Sequence, residues 1–136
     1  MKVLVDTSVW SLALGRTRPS QPPVVEELRS LIEEGRIAII GPIRQELLSG
    51  VRESATFERL RDHLRHFEDA ALETLDYERA AEHFIACRAR GVQGSNTDFL
   101  ICAAAERRSL PIFTTDRDFT RFARILPISL HGRIAG

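Results

Sequence analysis

The sequence of 136 residues is 43% hydrophobic and 28% charged, a balance that suits one ordinary globular domain and excludes a disordered, fibrous or membrane-embedded chain. Its 19 basic residues equal its 19 acidic ones, so the net charge of zero neither announces nor excludes a polyanionic partner. No run approaches the roughly 18 apolar residues of a membrane span, and Asp6 comes too early for a signal-peptide core, so the reading is a cytoplasmic protein with residues 1–136 as a single domain.

Residues 2–5, Lys-Val-Leu-Val, predict a buried strand that ends at Asp6. Thr7 and Ser8 then offer N-cap side chains for a helix running through Leu14. Residues 15–23, with three prolines, Arg16 and Arg18, read as an exposed loop. Val24, Val25, Leu28, Leu31 and Ile32 share one helical face, and Gly35 ends that helix. The continuous apolar run 37–40 predicts a strand covered on both faces, and Gly41-Pro42 opens a helix that carries Glu46.

Phe57, Leu60, Leu64 and Phe67 are again spaced as a helix, and 71–75 is a weaker strand candidate. A long helix follows, with Tyr77, Ala80, Ala81, Phe84 and Ile85 as its expected buried stripe. Residues 91–95 break it, and Asn96-Thr97 are expected to cap the next helix just before Asp98. Residues 99–105 are apolar on every side, which predicts a central helix packed on the sheet. A strand over 111–114 leads to Thr115-Asp116 and a short helix with Phe119 and Phe122; 125–130 is a candidate edge strand containing Pro127. Strands alternating with helices over short loops predict an α/β fold, a mostly parallel sheet with helices on both faces.

In such a sheet, sites form beyond the carboxyl ends of the strands. Asp6 and Asp116 fall there directly; Glu46 and Asp98, near the starts of following helices, can join them. Taken singly, each acid has a plainer role. Asp6 can cap a helix, Glu46 can be solvated, Asp98 can complement a helix dipole, and Asp116 can make an Asx turn. Taken together, four carboxylates in one cleft repel one another unless a cation sits among them. Carboxylates without Cys or His partners suit Mg²⁺ or Mn²⁺, whose chemistry beside a phosphodiester is hydrolysis.

Four segments, Val-Leu-Val-Asp-Thr-Ser-Val-Trp at 3–10, Pro-Ile-Arg-Gln-Glu-Leu-Leu-Ser-Gly at 42–50, Asn-Thr-Asp-Phe-Leu-Ile-Cys-Ala-Ala-Ala at 96–105 and Phe-Thr-Thr-Asp-Arg-Asp-Phe at 113–119, occur in the order and spacing of a known family. Over nearly its whole length the chain resembles the PIN domain, specifically the toxin ribonucleases of VapBC-type toxin-antitoxin pairs. The resemblance implies a three-layer α/β/α sandwich and a Mg²⁺- or Mn²⁺-dependent endoribonuclease whose acids fall on Asp6, Glu46, Asp98 and Asp116. It further implies that Ser8 and Thr114 contact the metal site or orient its ligands, and that Asn96 is a polar position close to the third acid. An RNA substrate, a homodimer and a cognate antitoxin protein covering the groove complete what it implies. Asp118 is either a fifth site acid or, the preferred reading, a surface cap for the last helix.

Other residues carry less. His63 and His66, spaced i, i+3, read as a solvated surface rather than metal ligands, and His83 and His131 fit no pattern. Trp10 reads as core. Cys87 and Cys102 lack C-x-x-C spacing and read as buried free thiols. Eighteen of the 19 basic residues are Arg, the side chain shaped for phosphate, though composition bias explains this equally. With four acids committed to metal, 15 would remain against 19 basic groups, which would leave a basic outer surface. Arg16, Arg18, Arg44 and Arg117 are the candidate phosphate contacts. Two other readings compete: a haloacid-dehalogenase-like phosphatase, disfavoured because Ser8 stands where a second acid is wanted, and a non-catalytic nucleic-acid or protein binding module.

Overall fold

The computed structural model describes residues 1–132. The last four positions of the expected 1–136 domain lie outside the described residues. Strand β1 (Val3–Val5) is central in a three-stranded parallel sheet of order β2-β1-β3, flanked by β2 (Ile37–Ala38) and β3 (Ile112–Phe113). Val3 pairs with Ile37 and Leu4 with Ala38 on one side; Leu4 pairs with Ile112 and Val5 with Phe113 on the other. Side chains alternate across a strand, and Val3, Leu4 and Val5 are all fully buried, so both faces of the sheet are covered. The predicted α/β sandwich is the observed architecture.

The helices are α1 (Thr7–Ala13), α2 (Pro22–Glu33), α3 (Gly41–Ser49), α4 (Ser54–Leu64), α5 (Thr74–Ala89), α6 (Asn96–Arg107) and α7 (Asp118–Ala123). Helix α1 packs on α2 and α3, α3 on α4, and α5 on α6. As predicted, the seven residues Phe99 to Ala105 of α6 are buried without exception. One core cluster runs from Val3 to Leu126. Trp10 is part of it, with its ring against Phe67. Among the described residues no helix is long and apolar enough to cross a membrane.

Three expectations of local structure are corrected. Residues 71–75 form no strand; only Asp69 bridges to Ile39, and the chain enters α5 at Thr74. The Asp76 carboxylate accepts from the Glu73 N–H at 2.7 Å and so closes the first turn of a helix there. Residues 125–130 contribute only a bridge from Leu130 to Ile112. Pro127 lacks an N–H, and the Ile128 N–H turns back onto Leu126 O at 2.8 Å, which bends the segment away from a ladder. The buried side of α5 runs through Asp76, Ala80, His83 and Cys87, whereas Tyr77 and Ile85 are 55% and 56% exposed. Asp76 decides this rotation, because its side chain is fully buried between Arg107 and Arg108 of α6's end.

Gly94 shows how tightly the approach to α6 is built. A Cβ there would lie 2.6 Å from Phe122 Cζ and 3.0 Å from Phe99 Cζ, both rings fully buried, so only glycine fits. The next residue, Ser95, begins the turn that holds Asp98.

Candidate active site

The three strands end side by side, and the residues that follow them meet there. Asp6, only 6% exposed, occupies the N-cap position of α1. Its Oδ2 accepts from Ser8 Oγ at 2.8 Å and from Thr114 Oγ1 at 2.8 Å. The two hydroxyls are themselves 3.2 Å apart, and each also accepts a backbone N–H: Thr115 N–H to Ser8 Oγ at 3.0 Å, Asp116 N–H to Thr114 Oγ1 at 3.0 Å. Asp6, Ser8 and Thr114 are thus brought into direct contact across more than a hundred residues. Thr7 and Ser8 make no side-chain cap of α1, contrary to expectation. Their hydroxyls are used elsewhere: Thr7 Oγ1 donates to Glu46 Oε2 at 2.9 Å.

Asp98 sits in the first turn of α6, whose N-cap is Ser95 rather than Asn96 or Thr97. The two residues cap each other, Asp98 N–H to Ser95 Oγ at 3.1 Å and Ser95 N–H to Asp98 Oδ2 at 3.0 Å. A Ser three residues before an Asp is a legible capping-box pattern, and it marks Ser95 in the sequence. Asp116 Oδ1 accepts the Asp118 N–H at 2.9 Å, an Asx-type turn that starts α7. Asp118 itself pairs with Arg121 at 3.5 Å on the surface, as a residue of the terminal helix.

Charge couples these acids. Burial pushes the Asp98 carboxyl above its ordinary value, against the Ser95 hydrogen bonds, and the charges of Asp116 and Asp6 push it further. Burial also raises Asp6, opposed by the hydroxyls of Ser8 and Thr114 and by the Ser8 and Thr7 backbone amides. Glu46 is exposed on α3 and joins the cluster through Thr7. Asn96 is exposed and lines a groove of 280 Å³ with Tyr77, Ala80, Ala81, Thr97 and Leu100, between α5 and α6.

Each acid is engaged with its own donor, and among the described residues no group of three or more His, Cys, Asp or Glu side chains is placed to hold a metal ion as it stands. The donor set nonetheless fits one class of ion. All four candidates are hard carboxylates, burial disfavours charge on Asp6 and Asp98, the charges of Asp116 and Asp6 disfavour it further on Asp98, and a divalent cation offsets such penalties. Mg²⁺ and Mn²⁺ keep several waters and need only one or two direct carboxylates, so a spread of acids suits them where an all-protein cage would not.

The candidate phosphate-binding arginines divide. Arg44 is corrected: it is tied to Asp69 Oδ1 at 2.9 Å and to the carbonyls of Leu64 and Phe67, so its donors hold α3 to the end of α4. Arg16 donates to Leu47 O at 2.9 Å. Arg18 and Arg117 are exposed, Arg117 directly after Asp116. His63 and His66 are exposed beside a cleft of about 620 Å³ with Lys2, Phe67 and Glu68. That cleft lies at the amino-terminal ends of β1 and β2, away from the acids. Cys87 and Cys102 are free and buried.

Known proteins share this fold and this sequence pattern. The PIN domain pattern matches residues 3–125. Ribonuclease VapC11 of Mycobacterium tuberculosis is 37% identical over 130 residues, covering 90% of this chain and 92% of that protein. Among solved structures, VapBC2 from Rickettsia felis bound to a DNA fragment from its promoter superposes with a TM-score of 0.75 at 18% identity, over 96% of this chain and 98% of the other. FitAcB from Neisseria gonorrhoeae gives 0.71 at 20% identity, over 94% and 95%. The structures speak for the fold; the pattern and the mycobacterial relative speak for descent. On both grounds the chain belongs to the PIN domain family.

Proposed function

We propose that this chain is a cytoplasmic, divalent-metal-dependent endoribonuclease, the toxin half of a toxin-antitoxin pair, with Asp6, Glu46, Asp98 and Asp116 as its site acids and Mg²⁺ or Mn²⁺ as its ion. The observation that carries it is the bracing of Asp6, at the end of the central strand, by Ser8 and by Thr114 two residues before Asp116; the upward push of the Asp6 and Asp116 charges on the Asp98 carboxyl supports it. The 37% identity to a ribonuclease supports RNA as the substrate.

A bound divalent ion supplies a polarised water and neutralises charge on the scissile phosphate and its leaving oxygen. The chain's own part is to hold oxygens still and in register. Ser8 and Thr114 fix Asp6, Ser95 fixes Asp98, and the Asp118 amide fixes Asp116. Such preset groups cost little reorganisation when substrate arrives. Exposed Arg117, beside Asp116, is positioned to meet an RNA phosphate, and such contacts carry affinity without base preference. The phosphatase alternative is weakened by Ser8, which stands where that mechanism wants a second acid as proton donor. Trapping an aspartyl-phosphate on Asp6 would revive it.

The purified chain is expected to cut RNA in Mg²⁺ or Mn²⁺ and to stop in EDTA. Its melting temperature should rise with Mn²⁺, by the equivalent of about 2.7 kcal/mol at a hundredfold excess over Kd. A folded, antitoxin-free chain that cuts none of a broad panel of RNAs and melts identically with Mn²⁺ and EDTA would overturn the proposal.

A homodimer belongs to the same reading. Leu75, Tyr77 and Ile85 are each more than half exposed on α5, and Tyr77, Ala81 and Ile85 line up at i, i+4 and i+8 as an apolar stripe. Tyr77→Arg is expected to convert a dimer to a monomer in sedimentation; a wild-type monomer at tens of micromolar would remove this part. VapBC-5 from Mycobacterium tuberculosis, of the same fold, is a member of the VapBC family of toxin-antitoxin systems, and an antitoxin is proposed here too. Cleavage that the product of an adjacent small upstream gene fails to inhibit would remove it.

A further inference from the structure

Asp6, Thr7 and Ser8 are consecutive, yet they reach two different parts of the molecule. Because β1 lies between β2 and β3, the residues that follow it face both neighbours at once. Ser8 turns to the β3 side and meets Thr114; Thr7 turns to the β2 side and meets Glu46. Ser8 and Thr114 both act on one buried carboxylate, Asp6. Glu46 is different. It is exposed on α3, has three side-chain torsions, and among the described residues its one side-chain hydrogen bond is the one from Thr7, 39 residues away.

We infer that Thr7 is a positioning residue for Glu46: its hydroxyl holds an otherwise free carboxylate toward Asp6, and so completes the acid set that binds the ion. The inference rests on the metal-centred reading above. Thr7 suits the task for two reasons. Its β-branched side chain has only about two χ1 choices in a helix, so little freedom is lost in aiming the hydroxyl. It is also released from capping, since α1 makes no side-chain cap at its start. Donation to Oε2 leaves Oε1 available to the ion or to a water on it.

The test uses Mn²⁺ alone as the probe, with affinity read by calorimetry on the intact chain. Thr7→Val keeps the shape and removes the donor; it is expected to weaken Mn²⁺ binding about tenfold, the scale of a lost outer partner of a metal ligand. Thr7→Ser is expected to restore affinity to within about threefold of wild type, a rescue that a purely structural role of the methyl group would not produce. In a Glu46→Ala background, Thr7→Val should have no further effect. With RNA as substrate, the Val variant should lose kcat while KM changes little.

If Thr7→Val binds Mn²⁺ as wild type does, the inference falls and the metal-centred reading stands. If Thr7→Val weakens binding equally with and without Glu46, Thr7 acts through Asp6 or the start of α1, and the inference again falls. If the wild type binds no Mn²⁺, the metal-centred reading fails and takes the inference with it. Circular dichroism and melting of each variant separate misfolding from lost affinity, and Thr7→Ser carries the test should the valine unfold α1.

Discussion

Asp98→Asn is expected to lower RNA cleavage by at least about a hundredfold, beyond the 10 to 100 lost with an outer partner of a metal ligand, and to melt no lower than wild type at neutral pH. Asparagine keeps an oxygen for the Ser95 N–H and leaves the Asp98 N–H to Ser95 Oγ bond untouched, so the start of α6 survives. It removes the negative charge that an ion would need and that Asp116 and Asp6 repel. Burial, the larger cause, holds the Asp98 carboxyl above its ordinary 3.8. Its favourable contribution to stability is therefore present below about pH 3.8 and lost as pH rises through the folded value. At pH 7 the ionised group costs stability, and the variant escapes that cost; near pH 3 the advantage should vanish. Cleavage assays with thermal melts at the two pH values check both halves. A variant that cuts RNA at full rate, or melts several degrees lower at pH 7, would show that Asp98 serves the capping of α6 alone.

The largest loss of stability is expected far from the acids, at Asp76. Its side chain is fully buried and takes both nitrogens of Arg108, at 2.8 and 2.9 Å, an arm of Arg107 at 2.8 Å and the Glu73 N–H at 2.7 Å. Arg108 also donates to Ala71 O and Ala104 O, so one carboxylate ties the 71–73 loop, the start of α5 and the end of α6 together. Asp76→Ala strands those guanidinium groups and is expected to cost about 3–4 kcal/mol, near the lower end for breaking a buried pair because the arginines keep some solvent contact. The melting temperature should fall by on the order of 10 °C. Hydrogen bonding from Arg108 is the leading cause that holds Asp76 far below the usual carboxylate range, against the effect of burial. The contribution is thus complete above the unfolded value near 3.8 and lost as pH falls through the folded one. Urea titrations should show the full gap between wild type and variant at pH 6 and a shrinking gap below pH 4. A gap under about 1 kcal/mol at pH 6 would mean that the cluster only breaks even with its desolvation. Because Asp76 touches none of the site acids, RNA cleavage by the folded variant in the cold should persist.

What could be read without coordinates was what depends on near neighbours in the chain. An apolar run such as 37–40 or 99–105 reports burial, and Gly35 with φ +67 ends α2 as its position foretold. Alternation of strands and helices fixed a parallel sheet, and a parallel sheet puts Asp6, the α3 acid and Asp116 at one end. Where the local pattern was weak, a distant partner decided. The 71–75 segment has strand-like composition but gives way to α5 because Asp76 is claimed by arginines 31 and 32 residues on. The same pairing turns Tyr77 and Ile85 outward on a helix whose apolar spacing favoured burying them. Arg44 resembled a free phosphate ligand until the end of α4 brought Asp69 and two carbonyls to it. Thr7 looked like a helix cap, and only the strand order β2-β1-β3 reveals that its hydroxyl faces α3 while that of Ser8 faces β3. Local pattern alone was enough for most of the elements and for the parallel order of the strands, because periodicity and residue type act over a turn or two. The tertiary structure alone decided which hydroxyl braces which acid, because those hydrogen bonds span 39, 106 and 108 residues and exist only once the sheet has chosen its order.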